Sequence, residues 1–237
     1  MIVGSLPTTD GTSPTAKAGC LLVLNSRGKL IETVAGGAIN GPWDMTAVDH
    51  GLVTTLYVTN VLNGTVASSP NAVNEGTVAR LQLLTIPGLR PLVLDKDVIA
   101  TGFPERADPA ALVVGPTDVA LSRDGTLYVA DTVGNRIAAI ANASFRERPA
   151  QNGRHTVSVG GSLNGPLGMA LAPNGDILTA NGADGNIVET SPAGDQVATK
   201  SADSAGAGVL FGLTVAPGVD GVYFVDDGDN SLRLLGR

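Results

Sequence analysis

The sequence of 237 residues is poor in cysteine, histidine, aromatic residues and charge, with 1 Cys, 2 His, 3% aromatic and 16% charged residues. The single Cys20 excludes an intrachain disulfide and a cysteine-based zinc site. It lies in the apolar run 20–24, where a buried, inert thiol is expected. The net charge of −7 argues against a nucleic-acid or anionic-membrane partner, because such partners require clustered Lys and Arg.

Long hydrophobic runs are also missing, and none approaches the roughly 20 residues that span a bilayer. Residues 1–5 lack the basic region and the apolar stretch of a signal peptide. The composition is nevertheless rich in Thr, Asn and Gly and poor in Lys, as in many exported bacterial proteins. We therefore expect a periplasmic or extracellular protein, although this sequence carries no signal peptide.

What the sequence has in abundance is 31 Gly and 14 Pro, which leave little room for long helices. These residues punctuate a repeat found in four segments: a turn, an apolar strand, a Gly-containing turn and a second strand ending in Asp or Asn. A third and a fourth strand follow in the complete copies. Four short strands per unit are typical of a β-propeller blade. The segments begin near Gly41, Gly115, Gly165 and Phe211.

The repeat predicts a single all-β propeller domain of four-stranded antiparallel blades, with about five blades visible. The predicted blades are 1–40 (incomplete), 41–114 (with insertions at 63–76 and 87–109), 115–164, 165–208 and 209–237 (incomplete). This division contains about 18 strands, two short of five whole blades. We expect that upstream sequence, a blade or more, is missing from this chain. The open blade edges then predict self-association.

Residues 115–137 carry the clearest copy: a Gly-Pro start, the run Asp-Gly-Thr-Leu-Tyr-Val-Ala-Asp at 124–131, and Gly-Asn-Arg-Ile at 134–137. This segment resembles the NHL repeat family, and 165–187 resembles it with Asn181 in place of the family Asp. The resemblance implies a propeller, commonly six-bladed. Related propellers include scaffolds, sugar lactonases, carbon–oxygen lyases and peptide-amidating lyases, so the resemblance specifies the function poorly.

Polar residues at the ends of second strands and the starts of first strands are expected to share one face, at the mouth of the central channel. The predicted ligand-binding residues are Trp43, Asp44, Asn60, Asp118, Asp131, Asn181 and Asp226. Propellers of the gluconolactonase type, which this fold resembles, hold a divalent ion at this face. Asp44 and Asp118 are the predicted ligands for such an ion, Ca²⁺ or Mg²⁺, because hard cations take oxygen ligands.

A structural role competes with this interpretation, because Asp131 stands at a consensus position of the repeat and is expected to bond backbone in its own blade. Trp43 is likewise expected either to line the pocket or to fill the channel between blades. The two histidines disfavour several enzymes: His50 is predicted on the opposite face and His155 at the rim. A His-dependent lyase, a zinc site and a Ser-His-Asp triad therefore lose support.

Two functions remain open at this point, beside a third possibility that follows from the strand shortfall, namely a structural fragment with no retained activity. The first is a binding module that takes a small molecule, peptide or protein at the channel mouth. The second is a divalent-metal-assisted hydrolase or lyase of the lactonase-like type. The sequence does not decide whether the protein is an enzyme.

Overall fold

The structure, a computed structural model, describes residues 1–151 and 155–236. These ranges contain twenty β-strands, one short α-helix and two 3₁₀ turns, which confirms the predicted all-β class. No helix in these ranges is long and apolar enough to cross a membrane. The chain divides into two compact units, which comprise residues 1–116 with 142–151 and residues 117–141 with 155–236.

The first unit contains two sheets. One has three strands in the order β1-β2-β3, and the other has six, in the order β12-β7-β6-β5-β4 with β8 paired to β7. Their bounds are β1 Ile2–Ser5, β2 Cys20–Leu24, β3 Leu30–Ala35, β4 Pro42–Asp49, β5 Val53–Asn60, β6 Val73–Leu84, β7 Leu92–Asp108, β8 Leu112–Val114 and β12 Ala150–Gln151. The helix α1 spans Thr65–Ser68, and the 3₁₀ turns span Ser13–Thr15 and Ala143–Phe145.

The second unit contains three sheets, in the orders β9-β10-β11-β13, β14-β15-β16-β17 and β18-β19-β20. Their bounds are β9 Pro116–Leu121, β10 Leu127–Asp131, β11 Arg136–Ile140, β13 His155–Val159, β14 Pro166–Leu171, β15 Ile177–Asn181, β16 Asn186–Thr190, β17 Gln196–Ser201, β18 Leu210–Val215, β19 Gly221–Asp226 and β20 Ser231–Gly236. The first residue of β9, Pro116, falls in the first unit.

Local sequence explains why these strands turn where they do. Gly125 and Gly175 lie in the turns between the first and second strands of their blades and have φ of 85° and 94°. Residues that carry a Cβ rarely adopt such a backbone conformation. Asn135 and Asn230, in the turns between second and third strands, have φ of 48° and 58°. Asn is the residue that best tolerates this region after glycine.

Each unit buries its own apolar faces. In the first unit Leu21, Leu56 and Leu81 pack together with the other buried residues of β2, β5 and β6. In the second, Ile137, Met169 and further side chains join the sheet of β9 to that of β14. Each Å² of apolar surface removed from water contributes about 25 cal/mol to stability, so these buried faces are the main source of stability.

The five predicted blades correspond to the five sheets, and the eighteen predicted strands are all present within the described residues. The two strands that were not predicted, β7 and β12, belong to the sheet of the long second blade. Strand β7 runs for 17 residues through the predicted insertion at 87–109. Along the chain, β12 lies between β11 and β13, where the repeat predicted only a connection, yet it pairs with β7. A sixth blade is not confirmed.

Candidate functional site

The most unusual polar arrangement lies in the first unit, where β5, β6 and β7 meet at one edge of their sheet. Asn60 at the end of β5 pairs with Thr77 of β6, and Val73 at the start of β6 pairs with Glu105 near the end of β7. Antiparallel pairing therefore brings the strand ends together. The connection from β5 to β6, residues 61–72, passes over them and includes α1; we call it the covering segment.

Glu105 is the central residue of this edge, and it is completely buried. Its Oε1 accepts hydrogen bonds from the backbone N–H of Asn63 at 2.7 Å and from the Thr65 hydroxyl at 2.9 Å. Its Oε2 is buried without a hydrogen-bond partner among the described residues. Glu105 forms none of the ion pairs within the part of the chain that is described.

Burial raises the pKa of the Glu105 carboxyl to about 7 from an ordinary value of 4.5. The hydrogen bonds from Thr65 and Asn63 oppose this shift because they stabilise the carboxylate, whereas the nearby negative charge of Glu75 adds to it. A buried carboxyl that exchanges a proton near neutral pH is more common at functional sites than elsewhere.

Three asparagines are linked by hydrogen bonds in a chain that ends at Asn63, whose backbone N–H donates to this carboxyl. Asn60 accepts the backbone N–H of Asn40 at 2.9 Å, and the Asn40 amide group donates to the Asn63 side-chain oxygen at 3.0 Å. The Asn63 Nδ2 is buried and has no hydrogen-bond partner among the described residues. The edge thus holds both an unused acceptor, on Glu105, and an unused donor, on Asn63.

Trp43 and Asp44, the other predicted site residues of the first unit, are the second and third residues of β4. Trp43 is half-buried against an apolar cluster that contains Val61 and Val113. The backbone of Asp44 exchanges hydrogen bonds with the Thr59 hydroxyl, at 3.0 Å through its N–H and 3.3 Å through its carbonyl. Trp43 therefore packs beside the start of the covering segment, and the roles predicted for both side chains stay predictions.

In the second unit, Asp118 links two neighbouring sheets. One carboxylate oxygen accepts the N–H of Val119, and the other accepts the N–H of Met169 on β14, both at 2.6 Å. The corresponding position in β14 is Gly168, where an added Cβ would lie 2.0 Å from the carbonyl oxygen of Phe211. The repeat therefore has different residues at these two equivalent positions for a packing reason. Asp118 bonds its own sheet to the sheet of β14, whereas Gly168 leaves room for the close approach of the sheet of β18.

The three predicted residues that end second strands in this unit are fully buried and bonded nearby. Asp131 accepts the Gly134 N–H at 2.9 Å and pairs with Arg136 at 2.7 Å. Its pKa is raised, because burial outweighs the hydrogen bonds and charge that stabilise the carboxylate.

Asn181 and Asp226 repeat this pattern with different partners. Asn181 donates to the Ser162 carbonyl at 2.8 Å, while Asp226 accepts the Gly228 N–H at 3.0 Å and lies 3.0 Å from Arg233. The structural interpretation of the repeat positions therefore has a local hydrogen bond to support it in each blade.

A divalent ion requires several oxygen ligands with free lone pairs. Within residues 1–151 and 155–236, no three His, Cys, Asp or Glu side chains are grouped as a metal site. Both oxygens of Asp118 already accept backbone N–H groups. The described donor set thus does not fit a preformed ion site at Asp118, and Asp44 and Asp118 remain predicted ligands only.

Neither histidine is buried. His50 is exposed in the turn between β4 and β5, and His155 is exposed at the first residue of β13. Glu105, in contrast, was not among the residues predicted from sequence. The available signal is weak: Phe103 and Glu105 alternate on one face of β7, and Phe103 is buried.

Comparison with known proteins gives structural matches alone. No protein-family model and no curated protein matches the chain. A streptogramin B lyase is 13% identical, with a TM-score of 0.52 over 94% of this chain and 63% of that one. A gluconolactonase from Xanthomonas campestris is 15% identical, with a TM-score of 0.56 over 88% of this chain and 64% of that one. A PQQ-bound aldose sugar dehydrogenase from Streptomyces coelicolor is 12% identical, with a TM-score of 0.54 over 100% and 82%.

At these identities the likeness shows the fold alone: the chain is related to β-propellers. It spans about two thirds or less of the length of the lyase and the gluconolactonase. Because no family model matches, the NHL resemblance is not confirmed. The named activities of the three proteins differ, so they do not decide between a binding module and an enzyme.

Proposed function

We propose that this protein is a ligand-binding β-propeller, and that the strand ends of the first unit beneath the covering segment hold the ligand. The observation that carries the proposal is the unused hydrogen-bonding capacity at Glu105 Oε2 and Asn63 Nδ2. Buried polar groups in folded proteins nearly always have partners, so two exceptions at one edge call for an explanation. A ligand would supply the missing partners.

The chemistry of the two groups limits the ligand class. Glu105 Oε2 accepts a hydrogen bond when ionised, and Asn63 Nδ2 donates one. A hydroxyl or an amide both donates and accepts, so a sugar-like molecule or a peptide segment complements the pair. The acidic balance of the chain and the negative charge of Glu75 disfavour an anionic ligand.

The test is a titration of the isotopically labelled full chain, followed by backbone amide NMR. Three probes cover the ligand class: glucose, glucono-1,5-lactone and a blocked alanine dipeptide. We expect at least one probe to bind saturably and to shift amides of 61–76 and 103–108. Glu105→Gln is expected to weaken that binding at least tenfold, since a hydrogen bond to a charged group contributes about 1.5–3 kcal/mol.

Glu189→Gln, a matched change on β16 in the second unit, is the control and is expected to leave the affinity unchanged. Saturable binding that shifts only second-unit amides, or that survives Glu105→Gln unaltered, would place the ligand elsewhere and overturn the proposal. The absence of binding by all three probes would also count against the proposed ligand class.

The second candidate is a divalent-metal-assisted hydrolase or lyase of the lactonase-like type. Its support is the pKa of about 7 at Glu105, which suits a group that accepts or gives a proton at neutral pH. Glucono-1,5-lactone hydrolysis, measured with added Ca²⁺ or Mg²⁺ and again with chelator, distinguishes the two. Turnover that Glu105→Gln abolishes favours the enzyme, and binding without turnover favours the module.

A further inference from the structure

Hydrogen bonds attach the covering segment both to Glu105 and to Asn40 and Gly41, which precede β4. Glu105 Oε1 bonds Asn63 and Thr65, which both belong to this segment. The Thr65 hydroxyl lies 2.9 Å from Glu105 Oε1 and also 2.9 Å from the carbonyl oxygen of Val61. Its single proton serves only one of these acceptors at a time. Among the groups that attach the segment in these bonds, Glu105 is the one that titrates.

No positive charge balances Glu105 within the described residues. Residues 61–72 contain no ionisable side chain, and neither does β8. Glu75, on β6, adds negative charge, and its carboxylate lies beside Gly64 of the covering segment. On β7 itself, Arg106 and Asp108 pair with each other at 2.8 Å. Ionised Glu105 is therefore a buried charge without a counterion among residues 1–151 and 155–236.

We propose that protonation of Glu105 controls whether the covering segment is closed over the strand ends or open. With a neutral carboxyl the segment stays packed, and with an ionised carboxylate it detaches and admits water to the charge. The consequence, ligand access that rises with pH, rests on the proposed function. The opening itself is a property of the ligand-free chain.

The direction follows from the two environments of the carboxyl. Closed, its pKa is about 7, and open to water it returns toward the ordinary 4.5. Ionisation therefore favours the open form. The difference of about 2.5 pKa units sets a ceiling of about 300-fold on the increase in the open-to-closed ratio between acidic and alkaline solution.

Hydrogen exchange of the full, ligand-free chain measures this opening directly, because closed amides exchange only through open forms. Rates between pH 5.5 and 8.5 are corrected for the intrinsic base dependence of exchange. We expect the protection of amides in 61–72 to fall by up to about 30-fold across this range in the unaltered protein, because a carboxyl with a pKa of 4.5 in the open form is already largely ionised at pH 5.5. Glu105→Gln, which does not titrate, is expected to show constant protection.

Two further variants keep the test decisive. Glu75→Gln removes the neighbouring negative charge, so the midpoint of the protection change is expected to move to lower pH. Glu189→Gln is expected to keep the original profile.

A pH-dependent loss that persists in Glu105→Gln overturns the proposal, and so does constant protection in the unaltered protein. If Glu105→Gln fails to fold, an unmoved midpoint in Glu75→Gln overturns it. A failed ligand titration leaves this result untouched, so the two proposals fail separately.

Discussion

The guanidinium of Arg233 lies 3.0 Å from the buried carboxylate of Asp226. In the sheet of β9–β13 the same kind of pair joins Asp131 to Arg136, which is five residues further along the chain. Arg233 follows Asp226 by seven residues. Because alternate residues of a strand share a face, an arginine displaced by two positions still reaches its aspartate. Arg233 also pairs with Asp203 and Asp229.

Replacing Arg233 by alanine is expected to destabilise the protein by about 1–3 kcal/mol, because it leaves Asp226 buried without its charged partner. Urea unfolding followed by circular dichroism measures the change. Arg123→Ala, at an exposed turn, is the control and is expected to change stability by less than about 0.5 kcal/mol. Equal effects of the two substitutions would show that the Arg233 cluster contributes nothing beyond a surface charge.

The comparison of these two ion pairs shows which features could be predicted from the sequence. Strands and turns were predictable because each blade repeats its own signals, with Gly125 and Gly175 at equivalent turns. Arg233 was missed because the repeat template required an arginine directly before the third strand. Glu105 was missed for a different reason: it lies in an insertion with no equivalent in the other blades. Its burial depends on a covering segment whose path no local pattern indicates.

Gly168 provides a test of the close approach between the sheets of β14 and β18. An alanine Cβ there would lie 2.0 Å from the Phe211 carbonyl oxygen, so the strands must separate. We expect Gly168→Ala to lower the free energy of unfolding by about 1–3 kcal/mol, as overpacking commonly does.

Gly212, one sheet further on, is the matched position. An added Cβ there would have its nearest neighbour, a Val225 methyl group, at 3.8 Å. Gly212→Ala is therefore expected to be tolerated. Thermal unfolding of the two variants side by side decides the matter, and a larger loss for Gly212→Ala would contradict the packing explanation.

The stability of the protein is expected to depend on Glu105 between pH 5 and 8.5. Its pKa in the folded chain, about 7, lies above the ordinary 4.5, so the folded state binds more protons between these values. The stabilisation is therefore fully present below pH 4.5 and is lost as the pH rises through 7. The shift corresponds to at most about 3 kcal/mol.

Urea unfolding at a series of pH values, for the unaltered protein and for Glu105→Gln, isolates this contribution. The raised pKa of Asp131 acts in the same direction, but it is common to both proteins and cancels in their difference. The lowered pKa values of Asp10 and Asp124 act at more acidic pH. A difference in stability that stays constant from pH 5 to 8.5 would contradict the titration of Glu105.

Self-association through open blade edges is a further prediction of the sequence, and β20 is the edge at which to test it. β20 pairs only with β19 among the described strands. Leu232 and Leu234 on one face of β20 are 68% and 50% exposed. An unpaired edge strand with exposed apolar side chains is a template for pairing with another chain, and a lysine on such an edge opposes it.

We expect Leu234→Lys to weaken association of the full chain in sedimentation velocity experiments. Leu52→Lys, at a turn residue that is 60% exposed, adds the same charge away from the edge and is expected to leave association unchanged. If both substitutions reduce association equally, net charge rather than strand pairing at β20 controls it.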